Sequence, residues 1–192
     1  LNKSLINWVL AKIKKAKNLK KIILATTQNK RDDILENIAK KNKVQIYRGD
    51  ENNVLKRYFD AAKLYNADLI VRICSDNPFI DPNQIDYLIK KFKYKKFEYA
   101  YNHQSRLNTN YADGFGAEIL TFKTLERIYL AAKSKSQKEH VTKYIWDNLK
   151  KFKVLSIKSP KKLAYPQFKF DINTPKDYRL IKKFTKKFNI KI

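Results

Sequence analysis

The 192-residue sequence contains no methionine, only three glycines and a single cysteine, Cys74. A lone cysteine cannot form an internal disulfide, which is typical of proteins from a reducing cytoplasm, and we expect Cys74 to be a small core side chain rather than a nucleophile. No apolar run is long enough to cross a membrane, and no secretion signal is recognisable. A chain that starts at Leu1 without any methionine indicates a fragment or a trimmed protein. We therefore expect a cytoplasmic protein that does not associate with membranes.

The sequence also lacks the best-known short catalytic motifs. It has no nucleophile triad, no Cys/His zinc spacing, no Walker loop and no G-x-G-x-x-G. The formal charge of +25 suggests nucleic acid as a partner. However, arginine, which phosphate and base recognition favour, makes up only 7 of the 43 basic residues, and the lysines are scattered over the predicted helices. A basic nucleic-acid-binding module is therefore retained only as an alternative.

Helices and short apolar strands alternate in the first half of the chain. A helix is predicted after Ser4, with further helices over 32–41, 53–66 and 83–92 and strands over 22–25, 44–47 and 69–73. This alternation predicts an α/β domain with a mostly parallel sheet and right-handed crossovers.

The second half is less regular. It is predicted to contain strands over 97–101, 117–122, 152–157 and 167–170, helices over 124–132, 137–149 and 174–188, and a polar loop over 103–116. Because there is no linker and no repeat, we predict one domain over 1–192.

Two carboxylates are expected at strand ends. Asp76 follows the apolar run that begins at Leu69, and Asp171 lies in the segment Phe-Asp-Ile-Asn-Thr-Pro. Asn173, two residues further on, would share a face with Asp171 in extended chain. Carboxylate and amide oxygens suit Mg²⁺ that carries substrate phosphates, so these three residues are predicted metal ligands, with Asp76 and Asp171 as the catalytic pair. The alternative for each is a turn or helix cap.

Three arginines stand out because arginine is scarce. Arg48 ends a predicted strand and Arg57 lies in the helix that follows, where either could bind phosphate or form a surface ion pair. Arg72 lies in a strand with a buried pattern, so it should pair with an acid or a ligand. His140, near the start of the helix predicted over 137–149, could donate to an anionic substrate or be purely structural.

Several ordered blocks resemble one enzyme family over essentially the whole chain. They are Ala-Thr-Thr-Gln-Asn at 25–29, Tyr-Arg-Gly-Asp-Glu-Asn-Asn-Val-Leu-Lys-Arg-Tyr at 47–58, Val-Arg-Ile-Cys-Ser-Asp-Asn-Pro-Phe-Ile-Asp-Pro at 71–82, Glu-His-Val-Thr-Lys-Tyr at 139–144 and Asp-Ile-Asn-Thr-Pro-Lys-Asp at 171–177. The sequence thus resembles the cytidylyltransferase-like family of the spore-coat polysaccharide biosynthesis type, which is related to the acylneuraminate and 3-deoxy-manno-octulosonate (KDO) cytidylyltransferases.

This resemblance implies a Rossmann-like three-layer fold of the nucleotide-diphospho-sugar transferase type. It implies a Mg²⁺-dependent enzyme that activates a sugar or sugar acid with a nucleoside triphosphate, expected to be CTP, for surface polysaccharide, and that releases pyrophosphate. Asp76 and Asp171 would hold Mg²⁺, and Arg48 and Arg57 would lie near the nucleotide. The segment from Asp113 to Glu118, together with Arg72 and His140, would bind substrate.

Two differences from the family pattern lead to further expectations. Relatives have a first strand and a phosphate-binding loop before the residue that corresponds to Leu1, so we expect residues 1–192 to be incomplete as an enzyme. Relatives often carry aspartate where Asn173 stands, so this metal ligand would be neutral.

Relatives are often dimers, and a homodimer is expected here. A nucleotide-sugar-dependent glycosyltransferase on the same kind of sheet is the other alternative.

Overall fold

Eight α-helices and six β-strands form the described part of the computed structural model, residues 4–93 and 96–190. The helices are α1 (Leu5–Ile13), α2 (Ile34–Lys41), α3 (Val54–Leu64), α4 (Pro82–Lys93), α5 (Phe122–Ala131), α6 (Lys135–Glu139), α7 (Lys143–Asp147) and α8 (Pro175–Lys187). The strands are β1 (Ile23–Thr27), β2 (Gln45–Gly49), β3 (Leu69–Arg72), β4 (Tyr99–Tyr101), β5 (Glu118–Thr121) and β6 (Val154–Ser156).

The strands form two hydrogen-bonded sheets. Strands β1 and β2 pair in parallel, and the other four strands follow the order β3-β5-β4-β6. Strand β5 is antiparallel to both of its neighbours, and β4 and β6 are parallel, so β3, β4 and β6 run in one direction. The predicted α/β class is therefore confirmed, with β5 as the antiparallel strand. Within the described ranges no strand joins the two sheets, and the additional first strand expected from the resemblance stays a prediction.

Two hydrophobic clusters give the second sheet a three-layer arrangement. Ala100 and Ile119 face the cluster formed with α1 and α4, whereas Tyr99 and Leu120 face the cluster formed with α3, α5 and α7. This division follows from strand geometry, because successive side chains point to opposite faces of a sheet. The sheet is thus covered by helices on both faces, and the functional side chains can emerge only at its ends.

The prediction of one continuous helix over 137–149 was wrong. This segment is divided into α6 and α7, with His140 at the end of α6. The break lets Thr142, which is buried, donate a hydrogen bond of 2.8 Å to the buried carboxylate of Glu118. A tertiary hydrogen bond to a buried charge has overridden the local helical pattern.

The strand predicted over 167–170 was also wrong. The segment forms an isolated bridge between Asp113 and Lys169 rather than a ladder. The apolar alternation of Phe168 and Phe170 arises because these rings pack against other aromatic side chains, which gives the same period as a strand.

Glycine is required at position 116 by a close backbone approach. A Cβ atom at Gly116 would lie 2.0 Å from the backbone oxygen of Asn102. Asn102 is itself fixed, because its side chain donates to the Gln84 carbonyl at 2.8 Å and accepts from the Ala117 N–H at 2.9 Å. Neither partner can move without breaking buried hydrogen bonds.

We therefore predict that Gly116→Ala destabilises the protein by about 3 kcal/mol or more, since the added methyl group meets backbone. Gly49→Ala is the matched control, because its Cβ would lie 2.8 Å from a carbon of the Tyr47 ring, which can rotate away. Urea unfolding of both variants measures the difference. Equal destabilisation by the two substitutions would show that the Asn102 contact is not rigid.

Candidate active site

An open cavity of about 570 Å³ lies where β3 and β4 end and β5 begins. Ligands of α/β sheets bind at the carboxyl ends of parallel strands, and this volume is typical of a small-molecule site. Six residues predicted from the sequence line it: Arg72, Asp76, Asp113, Glu118, His140 and Asp171.

One end of the cavity carries three carboxylates, those of Asp76, Asp113 and Asp171. Burial raises the pKa of Asp76, and the negative charge of Asp171 raises it further. The pKa of Asp113 is raised for the same two reasons. The Oδ1 atom of Asp76 is buried and has no hydrogen-bond partner. Within the described ranges none of these carboxylates forms an ion pair, and the nearby charges of Arg72 and Lys169 offset their negative charge only in part.

Asn173 does not line this cavity. Its side-chain nitrogen donates to the carboxylate of Asp171, and the residue itself is exposed. Through this contact Asn173 can orient Asp171, and its role as a metal ligand stays a prediction. Helix α8 begins directly afterwards, with Thr174 as its N-cap in a capping box with Asp177.

The floor of the cavity is a buried ion pair. Arg72 and Glu118 are direct cross-strand neighbours on β3 and β5, and the guanidinium donates to the carboxylate. Glu118 also accepts from the Tyr99 hydroxyl at 2.5 Å and from Thr142. Burial by itself would raise the pKa of Glu118, but Arg72 and these donors lower it to about 2. The predicted pairing of Arg72 with a nearby acid is thus confirmed.

The other end of the cavity presents hydrogen-bond donors. The Nε atom of Arg72 and the indole nitrogen of Trp146 are buried and have no partner. The Nε2 atom of His103 accepts from the side-chain amide N–H of Gln104, and its Nδ1 is also buried without a partner. Burial lowers the pKa of His103 to about 4, so the ring is neutral at pH 7. Because unpaired buried donors are costly, this end favours a ligand that supplies acceptors.

Arg106 adds a positive charge to the donor end. Its guanidinium lies over the Trp146 ring, 4.3 Å from the centroid, and it has no acidic partner among residues 4–93 and 96–190. Our sequence reasoning missed Arg106, His103 and Trp146. The scarcity of arginine, which drew attention to Arg72, applied equally to Arg106 in the polar loop.

Arg48 and Arg57 lie outside the cavity. Arg48 forms ion pairs with Asp33 and Glu36, at 2.7 and 2.6 Å, and donates to one carbonyl group at the end of β1 and one in the loop that follows. Arg57 donates to the Asp50 carbonyl at 2.8 Å. Both arginines therefore hold loops of the first sheet, and their predicted proximity to a nucleotide stays a prediction.

Comparison with known proteins assigns the chain to a family. The family model described as Cytidylyltransferase matches residues 1–191. The chain belongs to the cytidylyltransferase family. The cytidylyltransferases are nucleotidyltransferase enzymes, so the resemblance found in the sequence is confirmed.

Two relatives of this cytidylyltransferase cover most of its length. An uncharacterized protein of Methanocaldococcus jannaschii is 34% identical over 189 residues, which are 98% of this chain and 75% of the relative. The spore coat polysaccharide biosynthesis protein SpsF of Bacillus subtilis is 30% identical over 162 residues, 84% of this chain and 65% of the relative. The chain thus spans three quarters of one relative and slightly less than two thirds of the other.

Solved structures agree with this assignment. A cytidylyltransferase from Leptospira borgpetersenii superimposes with a TM-score of 0.87 at 31% identity, over 97% of this chain and 77% of that one. A CMP:2-keto-3-deoxy-manno-octonic acid synthetase, solved in complex with CTP, superimposes with a TM-score of 0.67 at 11% identity. The match covers 96% of this chain and 88% of that one. The second likeness shows the fold alone. No helix in the described part of this cytidylyltransferase combines the length and apolar character of a membrane span.

We predict that Glu118→Gln lowers the free energy of unfolding by about 3 kcal/mol at pH 7, because it leaves Arg72 buried without its counter-charge. A carboxylate whose pKa is lowered in the folded protein stabilises the fold at pH values above its ordinary pKa of 4.5, and this contribution is lost as the pH falls towards 2. The variant should lack this fall in the free energy of unfolding between pH 4.5 and 2.

Urea unfolding between pH 2 and 7 tests the Glu118 prediction. Glu98→Gln is the matched control, since Glu98 pairs with Arg127 at a more exposed site. A Glu118→Gln variant as stable as Glu98→Gln at pH 7 would contradict the role assigned to the buried pair.

Proposed function

We propose that this cytidylyltransferase is a Mg²⁺-dependent enzyme that couples CMP to a sugar acid for surface-polysaccharide synthesis and releases pyrophosphate. The observation that carries the proposal is the two-ended cavity, with incompletely neutralised carboxylates at one end and unpaired donors at the other. Two substrates must meet in such a reaction, and the two ends suit different chemical groups. The polysaccharide role is suggested by the printed name of the Bacillus subtilis relative.

The carboxylate end suits a divalent cation. Asp76 and Asp171 would hold Mg²⁺, because hard cations prefer carboxylate oxygens, and the unpartnered Oδ1 of Asp76 leaves a ligand position free. In the described ranges no group of three histidine, cysteine or acidic side chains is close enough to hold a metal alone, so water and phosphate oxygens would complete the shell. When bound, Mg²⁺ supplies charge neutralisation of the triphosphate. Asn173 contributes by orienting Asp171.

The donor end suits the acceptor substrate. Its positive charge comes from Arg106, while Arg72 and His103 supply N–H groups without acceptors. A sugar carboxylate would satisfy these donors, and a neutral sugar would leave them partly unpaired, at a cost for each buried donor. The rigid floor of Arg72 and Glu118 would then fix the acceptor relative to the carboxylate end.

The reaction needs positioning more than a protein nucleophile. A hydroxyl oxygen of the acceptor attacks the α-phosphorus of CTP and loses its proton to solvent, the bond from that phosphorus to the oxygen of the β-phosphate breaks, and pyrophosphate leaves with that oxygen. Nucleotidyl transfer of this kind depends on alignment and on stabilisation of phosphate charge, which explains why the chain carries no nucleophile triad. Family membership also favours this reaction over the glycosyltransferase and the nucleic-acid-binding alternatives.

Pyrophosphate release by the full-length protein tests the function. We expect release with CTP, Mg²⁺ and eight- or nine-carbon sugar acids, and little with sugar 1-phosphates. Asp76→Asn should lose this turnover without a lower melting temperature, because the raised pKa of Asp76 means that its charge opposes folding of the metal-free protein. Sugar transfer from a nucleotide sugar without pyrophosphate would overturn the proposal, and a large loss of stability with surviving activity would restore the capping role of Asp76.

We further predict that Arg106→Ala raises the KM for the acceptor roughly 10- to 100-fold, with a much smaller effect on the KM for CTP, since a hydrogen bond to a charged group is lost. The matched control is Arg127→Ala, whose guanidinium lies 4.4 Å from the centroid of the Phe152 ring but outside the cavity. Steady-state kinetics with each substrate varied measure the split. An equal rise in both KM values would contradict the assignment of Arg106 to the binding of the acceptor substrate.

A further inference from the structure

Each of the three carboxylates in the cavity has a phenylalanine close by in the chain. Asp76 is followed by Phe79, Asp113 is followed by Phe115, and Asp171 is preceded by Phe170. The three segments come from distant parts of the sequence, one after β3, one in the polar loop before β5 and one before α8. Their carboxylates nevertheless line the same cavity.

The three phenylalanine rings contact one another. The ring centroids of Phe79 and Phe170 are 5.5 Å apart and those of Phe115 and Phe170 are 5.3 Å apart, both with edge-to-face geometry. Phe79 and Phe115 complete the triangle at 6.2 Å. These separations and angles are those of favourable aromatic pairs. Every carboxylate segment is thus joined to the other two through a ring.

Main-chain hydrogen bonds hold these segments together less completely than the ring contacts do. Main-chain hydrogen bonds link each pair of segments: Ile172 N–H to the Asp76 carbonyl at 2.9 Å, Asp81 N–H to the Phe115 carbonyl at 2.9 Å, and, at the bridge between Asp113 and Lys169, Asp113 N–H to the Phe168 carbonyl at 3.0 Å. So few main-chain bonds fix the separation of the segments more strictly than their relative orientation. The ring triangle supplies the additional contacts that set the orientation of the segments.

The three rings lie at the periphery of the core, where Phe115 packs against the first hydrophobic cluster. Phe79, Phe115 and Phe170 are all only partly buried, unlike the fully buried residues of the sheet and of α4. Phe115 has aromatic contacts only with the other two rings within the described ranges. Gly114 also serves this arrangement, because its φ of 98° turns the chain in a conformation that favours glycine.

We propose that Phe79, Phe115 and Phe170 form an aromatic clamp that positions Asp76, Asp113 and Asp171 and thereby sets the metal affinity of the site. The clamp residues are positioning residues, since they act through the carboxylates and do not themselves contact the metal. This inference rests on the proposed function, because the metal is the one proposed there. Indirect support of metal ligands commonly changes metal affinity by one to two orders of magnitude.

Direct binding of Mn²⁺, a hard cation that substitutes for Mg²⁺, tests the clamp through paramagnetic resonance titration of the full-length protein. Phe115→Leu removes the ring, and we expect roughly 10-fold weaker Mn²⁺ binding. The Mg²⁺ concentration for half-maximal activity should rise by a similar factor, while kcat at saturating Mg²⁺ changes little. Phe115→Tyr keeps the ring and should retain the wild-type affinity.

The matched control is Phe59→Leu. Phe59 is also partly buried and stacks on two rings, Phe122 at 5.7 Å and Tyr129 at 4.5 Å, in the other cluster. Mn²⁺ binding by Phe115→Leu that is no weaker than by Phe59→Leu would overturn the clamp while the metal site stands. Asp76→Asn that binds Mn²⁺ as well as the wild type would overturn the metal site and the clamp together.

Discussion

The ion pair between Arg72 and Glu118 is the interaction on which the rest of the site depends. It lies where β3 and β5 are paired, and it is satisfied by Tyr99 from β4 and by Thr142 from the break between two helices. A buried charge pair is stable only when such additional hydrogen bonds complete it. Four of the segments around the cavity are therefore fixed to one point, and the order of the sheet determines where the substrates can lie.

Sequence patterns were sufficient for most of the fold. Alternating helices and strands predicted the α/β class, and because strand ends meet at one edge, the carboxylates Asp76 and Asp171 were expected together. The antiparallel direction of β5 was not predictable, since a strand as short as Glu-Ile-Leu-Thr has a pattern that does not depend on its direction. The broken helix at His140 was missed because its cause, a hydrogen bond from Thr142 to Glu118, joins residues far apart in the sequence.

The donor end of the cavity was the least predictable part of the site. Arg106 and Trp146 are separated by forty positions in the chain, and neither belongs to a recognisable motif. Their contact depends on the path of an irregular loop, which no periodicity describes. Arg48 shows what a strand-end position alone leaves open, because its contacts with two carboxylates and two carbonyl groups depend on loops that the sequence pattern does not describe.

The floor of the cavity, formed by Arg72 and Glu118, can vary less freely in evolution than its wall, by which we mean Arg106 and His140. Arg72 and Glu118 are part of the sheet, so a change of specificity made there also weakens the fold. Arg106 and His140 lie on a loop and at a helix break, where substitutions and changes of length are better tolerated. Divergence towards new acceptor sugars within one family should therefore accumulate in the wall, while the floor is inherited unchanged.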